Sequence, residues 1–211
     1  LYRVWQSSGE TYTITENHIL SLRKSQSCQR DTQKNPLGRY PGEPNTVNIQ
    51  VSEYVGKSER WKTHFRGYRA GLLSFEKQGL LIDPYLLGLW LGDGHSYSLR
   101  IYNEDIEVAD WCRAHAEQMG SPYRDEQESG LCRCLIFSAG GNGQKNALWQ
   151  HFKAYGLVKN KHIPHDYIHT SEQDRLELLA GLMDTDGHYR ESRHGFIIES
   201  TSKRLASDIK L

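Results

Sequence analysis

The sequence predicts an α+β protein in two parts, on the basis of three observations. Short segments rich in strand-forming residues occupy the beginning of the chain. From Asp83 onward, apolar residues recur at helical spacing. A ten-residue stretch of this second part occurs twice, at an offset of 93 residues. We therefore divide the chain into a β-rich domain over residues 1–80 and an α+β domain over residues 81–211.

The first domain is predicted to begin with a β-hairpin. Leu1–Gln6 and Thr11–Ile14 are rich in strand formers, and the serines and glycine between them favour a turn. Residues 25–47 contain three of the six prolines, which predicts a loop. Thr46–Tyr54 alternates polar and apolar residues, which predicts a return to strand.

The second domain is predicted to alternate helices and strands. Asp83 followed by Pro84 marks the start of a helix over residues 85–92, because aspartate caps helices and proline is favoured in the first turn. Caps, periodicity and glycine stops define the later segments. They are a strand over 98–102, a helix over 104–119 capped by Asn103, a strand over 131–137, a loop over 138–146, a helix over 147–155, a helix capped by Ser171 that ends near residue 185, a strand over 195–199 and a helix from residue 201.

Composition excludes several classes of protein. Charged residues make up 25% and hydrophobic residues 37% of the 211 residues, a balance found in neither disordered chains nor membrane proteins. The longest apolar run, residues 86–91, is interrupted by Gly88 and is too short to span a bilayer. Four cysteines are too few for a disulfide framework, and Cys132 and Cys134 lack zinc-ribbon spacing, so we expect them to be buried intracellular thiols.

Charge is unevenly distributed along the chain. Residues 1–80 contain 12 Lys/Arg and 7 Asp/Glu, whereas residues 81–211 contain 14 and 19. Within residues 22–69, ten basic residues accompany four acidic ones, and aromatic residues are interleaved with them. Basic residues follow phosphates while aromatic residues pack or stack, so this segment is a candidate nucleic-acid contact; a solvated basic loop is the alternative. The candidate contact residues are Arg60, Lys62, Arg66 and Arg69.

The repeat contains the candidate catalytic residues. Residues 86–95 are LLGLWLGDGH and residues 179–188 are LAGLMDTDGH, with six of ten positions identical. Their small residues allow two helices to pack closely, and the repetition predicts a pseudo-two-fold arrangement. Asp93 and Asp186 would then lie together at two helix C-termini, where carboxylates are unfavourable unless a cation such as Mg²⁺ binds them. Two carboxylates that share metals suit hydrolysis of a phosphodiester.

These two motifs resemble those of the LAGLIDADG (dodecapeptide, DOD-type) homing endonucleases, in the single-chain form that carries two copies. The resemblance implies a LAGLIDADG αββαββα pseudo-two-fold endonuclease fold with the second half truncated, and Asp93 and Asp186 as ligands of Mg²⁺ or Mn²⁺. It extends to the segment KNKHIP, where Lys161 would stabilise charge or orient water at the scissile phosphate. Asp184 has Leu91 as its counterpart in the first copy, so we assign it a secondary contact at the helix end.

The beginning of the chain resembles a second family. Residues 11–20, TYTITENHIL, are similar to the intein (Hint-type) motif Thr-x-x-His, with Thr15 and His18 at the motif positions. In inteins this histidine promotes the acyl shift at the first splice junction. The resemblance implies a β-rich Hint-like splicing-domain remnant, host-protein exteins as partners and an intracellular location that follows the host protein. Because the chain begins with Leu1 and ends without the His-Asn pair of inteins, we expect a fragment that does not splice by itself.

These motifs together predict a site-specific, divalent-metal-dependent endonuclease that cuts double-stranded DNA at a long recognition site and is embedded in a protein-splicing element. We expect a monomer whose halves mimic a dimer, with no membrane partner. Further DNA contacts are expected at Arg100, Arg190 and Arg193. Two alternatives stay open, an intein insert whose endonuclease has decayed and a maturase-like nucleic-acid-binding protein on the same fold. The splicing motif disfavours the maturase, and the presence of Asp93, Asp186 and Lys161 disfavours decay.

Overall fold

The computed structural model describes residues 1–6, 9, 11–25, 45–68, 73, 75–137 and 146–210. The chain divides into two compact units, Leu1–Gly71 and Leu72–Leu211. Both units contain helices and small antiparallel sheets, so the described part of the chain is mixed α/β, as expected of an α+β protein. Over these residues no helix combines the length and the apolar character needed to cross a membrane.

In the described residues of the first unit, two small antiparallel sheets combine with two short helices. Its elements are β1 (Tyr2–Trp5), β2 (Thr11–Ile14), β3 (Ile19–Lys24), β4 (Thr46–Gln50), α1 (Val51–Gly56), α2 (Glu59–His64) and β5 (Phe65–Arg66). Strands β1 and β2 form the predicted hairpin, with Tyr2 opposite Ile14. The second sheet has the order β4-β3-β5, and its inner face packs Leu20 and Ile49 into a core that includes Trp61.

The predicted strand over residues 46–54 is wrong in its second half. Strand β4 ends at Gln50, and helix α1 begins at Val51. Val51 is only 2% exposed and belongs to the same core as Trp61, so packing outweighs the strand propensity of this segment. The sequence analysis also does not predict β3, and most of the predicted loop over 25–47 lies outside the described residues.

The second unit alternates helices and strands. Its elements are α3 (Pro84–Asp93), β6 (Arg100–Asn103), α4 (Ile106–Gln118), β7 (Tyr123–Ser129), β8 (Cys132–Phe137), α5 (Ala147–Ala154), α6 (His165–Ile168), α7 (Glu172–Asp186), β9 (Gly187–Arg190), a 3₁₀ turn (Glu191–Arg193), β10 (Gly195–Ile198) and α8 (Lys203–Asp208). Strands β6, β8 and β7 form one antiparallel sheet in that order, and β9 and β10 form a hairpin. Cys134 is buried, as expected, whereas Cys132 is only partly buried, and Cys28 lies outside the described residues.

Helix α3 lies in the middle of the core of the second unit. Its start is confirmed, since Asp83 accepts a hydrogen bond from the backbone N of Leu86 at 3.0 Å and Pro84 occupies the first turn. Every residue from Leu86 to Leu91 is buried. A helix that is apolar on all sides is expected to be surrounded by other elements, and α3 is.

The predicted domain boundary at residue 80 lies C-terminal to the observed division between the units. Gln78 N donates to Thr170 Oγ1 at 3.1 Å. The hydroxyl of Tyr167 accepts from Ile82 N at 3.0 Å and donates to Ile82 O at 2.6 Å. These hydrogen bonds attach the segment before α3 to the second unit.

Candidate active site

Helices α3 and α7 pack with their backbones in direct contact at the repeated glycines. A Cβ atom on Gly88 would overlap the carbonyl oxygen of Leu178 and would lie 2.9 Å from Leu182 N. A Cβ atom on Gly181 would likewise overlap the carbonyl oxygen of Tyr85. Only glycine fits at these two positions, so the small residues of the motifs allow the helices to approach this closely.

This packing brings Asp93 and Asp186 to the same end of the helix pair. Each is the last residue of its helix and precedes a glycine with extended backbone. Burial raises the pKa of Asp93, a hydrogen bond from Asn103 lowers it, and the charge of Asp186 raises it again. Burial also raises the pKa of Asp186, while the charge of Lys161 lowers it. The two carboxylates therefore resist ionisation at helix ends that already disfavour negative charge.

Lys161 lies near enough to both carboxylates for its charge to act on them. Its ammonium donates to Gly92 O at 2.7 Å and lies 5.4 Å from the centre of the Trp90 ring. Burial lowers the pKa of Lys161, whereas the charges of Asp186 and Asp93 raise it. The side chain thus holds a positive charge against the last turn of α3, where the helix dipole favours a cation.

The assignment of Asn103 as a helix cap is wrong, and its position is more informative than a cap would be. Helix α4 begins at Ile106, and its N-cap is Asp105. Asn103 is 8% exposed, and its amide donates to Asp93 Oδ2 at 3.1 Å and to the backbone O of Asp184 at 3.4 Å. Sequence reasoning missed this contact; its one signal is an asparagine at the end of the strand that follows the first motif.

Asp184 makes a contact across the helix pair. Its Oδ2 accepts a hydrogen bond from the hydroxyl of Tyr85 at 2.6 Å. Burial raises the pKa of Tyr85, and the bond to Asp184 raises it further. This contact links the end of α7 to the start of α3 and is the secondary helix-end role expected of Asp184.

The donor set fits a hard divalent cation. Within the described ranges, no three His, Cys, Asp or Glu side chains come together in a way that could hold a metal ion. A tetrahedral zinc site needs three or four protein ligands, whereas Mg²⁺ retains waters and needs one or two carboxylates with substrate phosphate oxygens. Asp93 and Asp186 therefore suffice for Mg²⁺ or Mn²⁺ but not for a structural zinc ion.

The splicing-motif residues lie in the turn between β2 and β3. Thr15 and His18 are both exposed, and His18 N donates to Thr15 O at 3.2 Å. Val51 N donates to His18 O at 3.0 Å, which fixes the turn against the start of α1. Because Tyr2 pairs with Ile14, the motif lies next to the first residues of the chain.

In the first unit, the candidate DNA-binding residues lie on two neighbouring elements. Arg60 and Lys62 are on α2 and Arg66 is on β5, whereas Arg69 lies outside the described residues. Lys62 forms an ion pair with Glu59 at 2.9 Å. Part of its charge is therefore already balanced, and the arginines are the stronger candidates for phosphate contacts.

In the second unit, the candidate DNA-binding residues follow the two central helices. Arg100 is exposed at the start of β6, and Arg190 is half-buried at the end of β9. A hydrogen bond with Tyr102 raises the pKa of Arg100. Arg193 belongs to the 3₁₀ turn, and its side chain lies outside the described residues.

Comparison with known proteins finds a relative that aligns with almost the whole chain. No family model matches the chain. The chain is 33% identical over 216 residues to a protein described as replicative DNA helicase DnaB from Mycobacterium intracellulare. The alignment covers 99% of this chain and 33% of that protein, so the chain spans about a third of the length of this curated relative.

Proposed function

We propose that this chain is part of an intein inserted in a replicative DNA helicase, and that its second unit is a Mg²⁺-dependent, site-specific endonuclease for double-stranded DNA. The observation that carries the proposal is the cluster of Asp93, Asp186 and Lys161. Three separate segments contribute these residues, and each residue interacts electrostatically with another member of the cluster. Perturbed ionisable groups gathered by a fold are a common mark of a catalytic site.

The order of elements supports the LAGLIDADG fold for the second unit. After α3, a bridge between Gly94 and Ile101 forms a short hairpin with β6. Helix α4, the hairpin β7–β8 and helix α5 follow, which gives the order αββαββα. Helix α7, the hairpin β9–β10 and helix α8 repeat the first four of these elements.

In the proposed mechanism, the two carboxylates would bind the metal ion, and the lysine would act on the phosphate or on the attacking water. Asp93 and Asp186 would hold a cation that, when bound, neutralises charge at the scissile phosphate and lowers the pKa of the attacking water. Lys161, fixed by its bond to Gly92 O, would stabilise the charge that develops on the phosphate oxygens or orient the water.

The first unit is proposed to contribute to protein splicing and to DNA binding. Its motif turn lies beside strand β1, which supports a role in which His18 would protonate or polarise the peptide bond at a splice junction, with Thr15 in the same turn. The arginines of α2 and β5 would contact DNA phosphates.

The helicase motor itself is a second candidate, because the matched relative is described as a helicase. The segment most similar to a phosphate-binding loop is Gly56–Ser58, which reads GKS. The P-loop pattern requires a glycine five positions earlier, where Val51 stands, and a loop between strand and helix. Instead, Val51–Gly56 forms helix α1 and Lys57 pairs with Glu53 at 3.0 Å. These features disfavour a nucleotide site and favour the inserted element.

The test uses the full-length protein and a DNA duplex that joins the coding sequences flanking this chain in its own gene. We expect both strands to be cut when Mg²⁺ is present. Asp93→Asn should lower the cleavage rate on the order of 10³-fold, because metal stabilisation of the transition state is worth several kcal/mol. DNA binding by this variant should change little, since most affinity comes from phosphate contacts elsewhere.

The matched comparison replaces Arg60, Lys62, Arg66 and Arg69 together. This variant should bind more weakly, with a salt slope smaller by roughly 0.9 for each lost phosphate contact, and should still cut at saturating concentration. A wild-type protein that binds DNA without cutting would support the decayed insert. A preference for RNA would support the maturase-like alternative, and ATP hydrolysis would support the helicase motor.

A further inference from the structure

We propose that Asn103 is a positioning residue for Asp93 and that it makes the two carboxylates of the site unequal, so that the two DNA strands are cut at different rates. This inference rests on the proposed endonuclease function. It concerns a residue that the motifs themselves do not include, and it follows from a comparison of the two halves of the second unit.

The side chain of Asn103 is buried and fully engaged. Its Oδ1 accepts from Asp105 N at 2.8 Å, and its Nδ2 donates to Asp93 Oδ2 at 3.1 Å and to Asp184 O at 3.4 Å. One amide therefore joins the carboxylate of the first half to the backbone of the last turn of α7. Such a bridge fixes the rotamer of Asp93 relative to the second half, because a buried amide has little freedom once all these bonds are made.

The structure identifies the position in the second half that corresponds to Asn103. Gly94 pairs with Ile101 in the first half, and Gly187 pairs with Ile198 in the second. The N-caps that follow are Asp105 for α4 and Ser202 for α8, each four residues after the paired isoleucine. The residues two positions after each isoleucine are therefore equivalent, and they are Asn103 and Ser200.

Asn103 and Ser200 both accept a hydrogen bond in the turn before the next helix, but in the part of the chain that the structure describes only Asn103 donates one to a carboxylate. Ser200 Oγ accepts from Ser202 N at 3.2 Å, just as Asn103 Oδ1 accepts from Asp105 N. The local turn before each helix is thus satisfied in both halves. A serine has no amide to reach a carboxylate, and among the hydrogen bonds of the described residues none joins Ser200 to Asp186.

The consequence is a difference in pre-organisation between the two halves. Partners that orient a metal ligand typically change metal affinity or activity by about 10- to 100-fold when they are removed. Asp93 has such a partner, and Asp186 has the charge of Lys161 but no amide donor in the described part of the chain. The half that contains Asp93 should therefore act faster, and the nicked intermediate should accumulate on one strand.

The two halves supply their own matched variants, Asn103→Ser and Ser200→Asn. With each strand of the duplex labelled separately, wild-type protein should cut one strand faster than the other. Asn103→Ser should slow that faster strand by about 10-fold and the other by less than about 2-fold. Ser200→Asn should speed the slower strand or leave it unchanged, with no effect on the faster one.

Binding of Mn²⁺ in the absence of DNA provides a readout that does not depend on cleavage. In a calorimetric titration, Asn103→Ser should weaken the affinity for Mn²⁺ by about 10-fold. Tyr85→Phe is the structural control, because it removes the other hydrogen bond to residue 184 across the same helix pair and leaves the contacts of Asp93 intact. It should leave the ratio of the two strand rates and the affinity for Mn²⁺ unchanged.

The outcomes separate this inference from the proposed function. If Asn103→Ser slows cleavage of both strands equally, to the extent seen with Tyr85→Phe, then Asn103 only stabilises the packing of the helix pair. That result would overturn the proposal. If wild-type protein cuts no DNA, the endonuclease function fails and the Mn²⁺ titration decides the role of Asn103. An affinity for Mn²⁺ that is unchanged in Asn103→Ser would then overturn it.

Discussion

The two halves of the second unit share a backbone plan and differ in the chemistry of corresponding side chains. Both central helices approach through a glycine and end in an aspartate that precedes another glycine. Counting by the 93-residue offset of the motifs, Tyr85 corresponds to Leu178 and Leu91 corresponds to Asp184. On one side of the helix pair, Tyr85 and Asp184 form a hydrogen bond. On the other side, the corresponding residues, Leu178 and Leu91, are apolar and both are buried.

The two halves must share glycine where their helices cross, but they need not share the side chains around the helices. The close approach of the helices involves both halves at once, so each helix needs glycine at the crossing. The surfaces around the helices are not subject to this constraint. Leu86 is 1% exposed, whereas its counterpart Leu179 is 39% exposed. Side chains beside the carboxylates can therefore differ between the halves without loss of the shared geometry, as Asn103 and Ser200 do.

The largest expected effect follows from the shared glycines. Gly88→Leu should destabilise the second unit by about 3 kcal/mol or more, because the new side chain meets backbone atoms of α7 that cannot move aside. The unfolding midpoint should fall by roughly 6–12 °C. Thermal unfolding followed by circular dichroism measures the change.

Gly79→Leu is the matched control for this substitution. A Cβ at Gly79 meets no atom within 4 Å, so the same side chain should change the unfolding midpoint by only about 1–2 °C. Equal destabilisation by the two variants would contradict the view that the glycines exist to let the helices touch.

The central helices were the part of the fold most open to prediction from sequence. The starts of α3 and α7 are marked by Asp83 and Ser171, and both caps are observed. Strand β7 has the sequence YRDEQES, whose polar residues give no alternating apolar signal, so only its pairing with β8 makes it a strand. Local propensity predicts strand for the residues at the start of helix α1, whereas the structure buries Val51 in a helix.

The candidate site was predictable where its residues belong to motifs, namely the repeated motif of Asp93 and Asp186 and the segment KNKHIP of Lys161. Asp93 and Asp186 stand out because the motif appears twice, and the structure places them together with Lys161. Asn103 could not be found in this way, because its counterpart is Ser200 and an Asn before a helix is also a good cap. Its role depends on a contact between segments that sequence spacing does not reveal.

Two further effects are expected at the pair of positions where the halves differ in polarity. Leu178→Ala should destabilise the second unit by about 2–5 kcal/mol, because it leaves a cavity next to the crossing point of the helices. Tyr85→Phe should destabilise it by about 1 kcal/mol, since it removes one hydrogen bond whose acceptor, Asp184, is exposed to solvent. Chemical denaturation measures both values. A larger loss for Tyr85→Phe than for Leu178→Ala would show that the polar contact, and not apolar packing, dominates the stability of the helix pair.

The smallest expected effect is a gain in stability, and it comes from the carboxylates themselves. Burial raises the pKa of Asp93 and of Asp186 in the folded protein above that of an unfolded chain, about 3.9. Folding therefore favours the protonated forms, and the charged forms destabilise the fold at neutral pH.

Asp93→Asn should raise the free energy of unfolding at pH 7, without divalent cations, by on the order of 1 kcal/mol. The gain should shrink as the pH falls through the raised pKa toward 3.9, because the wild-type carboxyl then becomes neutral as well. Added Mg²⁺ should also reduce the gain, because the wild-type site binds the cation more tightly than the variant does. Denaturation at several pH values, with EDTA and with Mg²⁺, measures all three effects. A loss of stability at pH 7 in EDTA would mean that the carboxylate of Asp93 is already balanced by Lys161 and Asn103. In that case the structure would provide no energetic reason for a cation at this end of the helix pair.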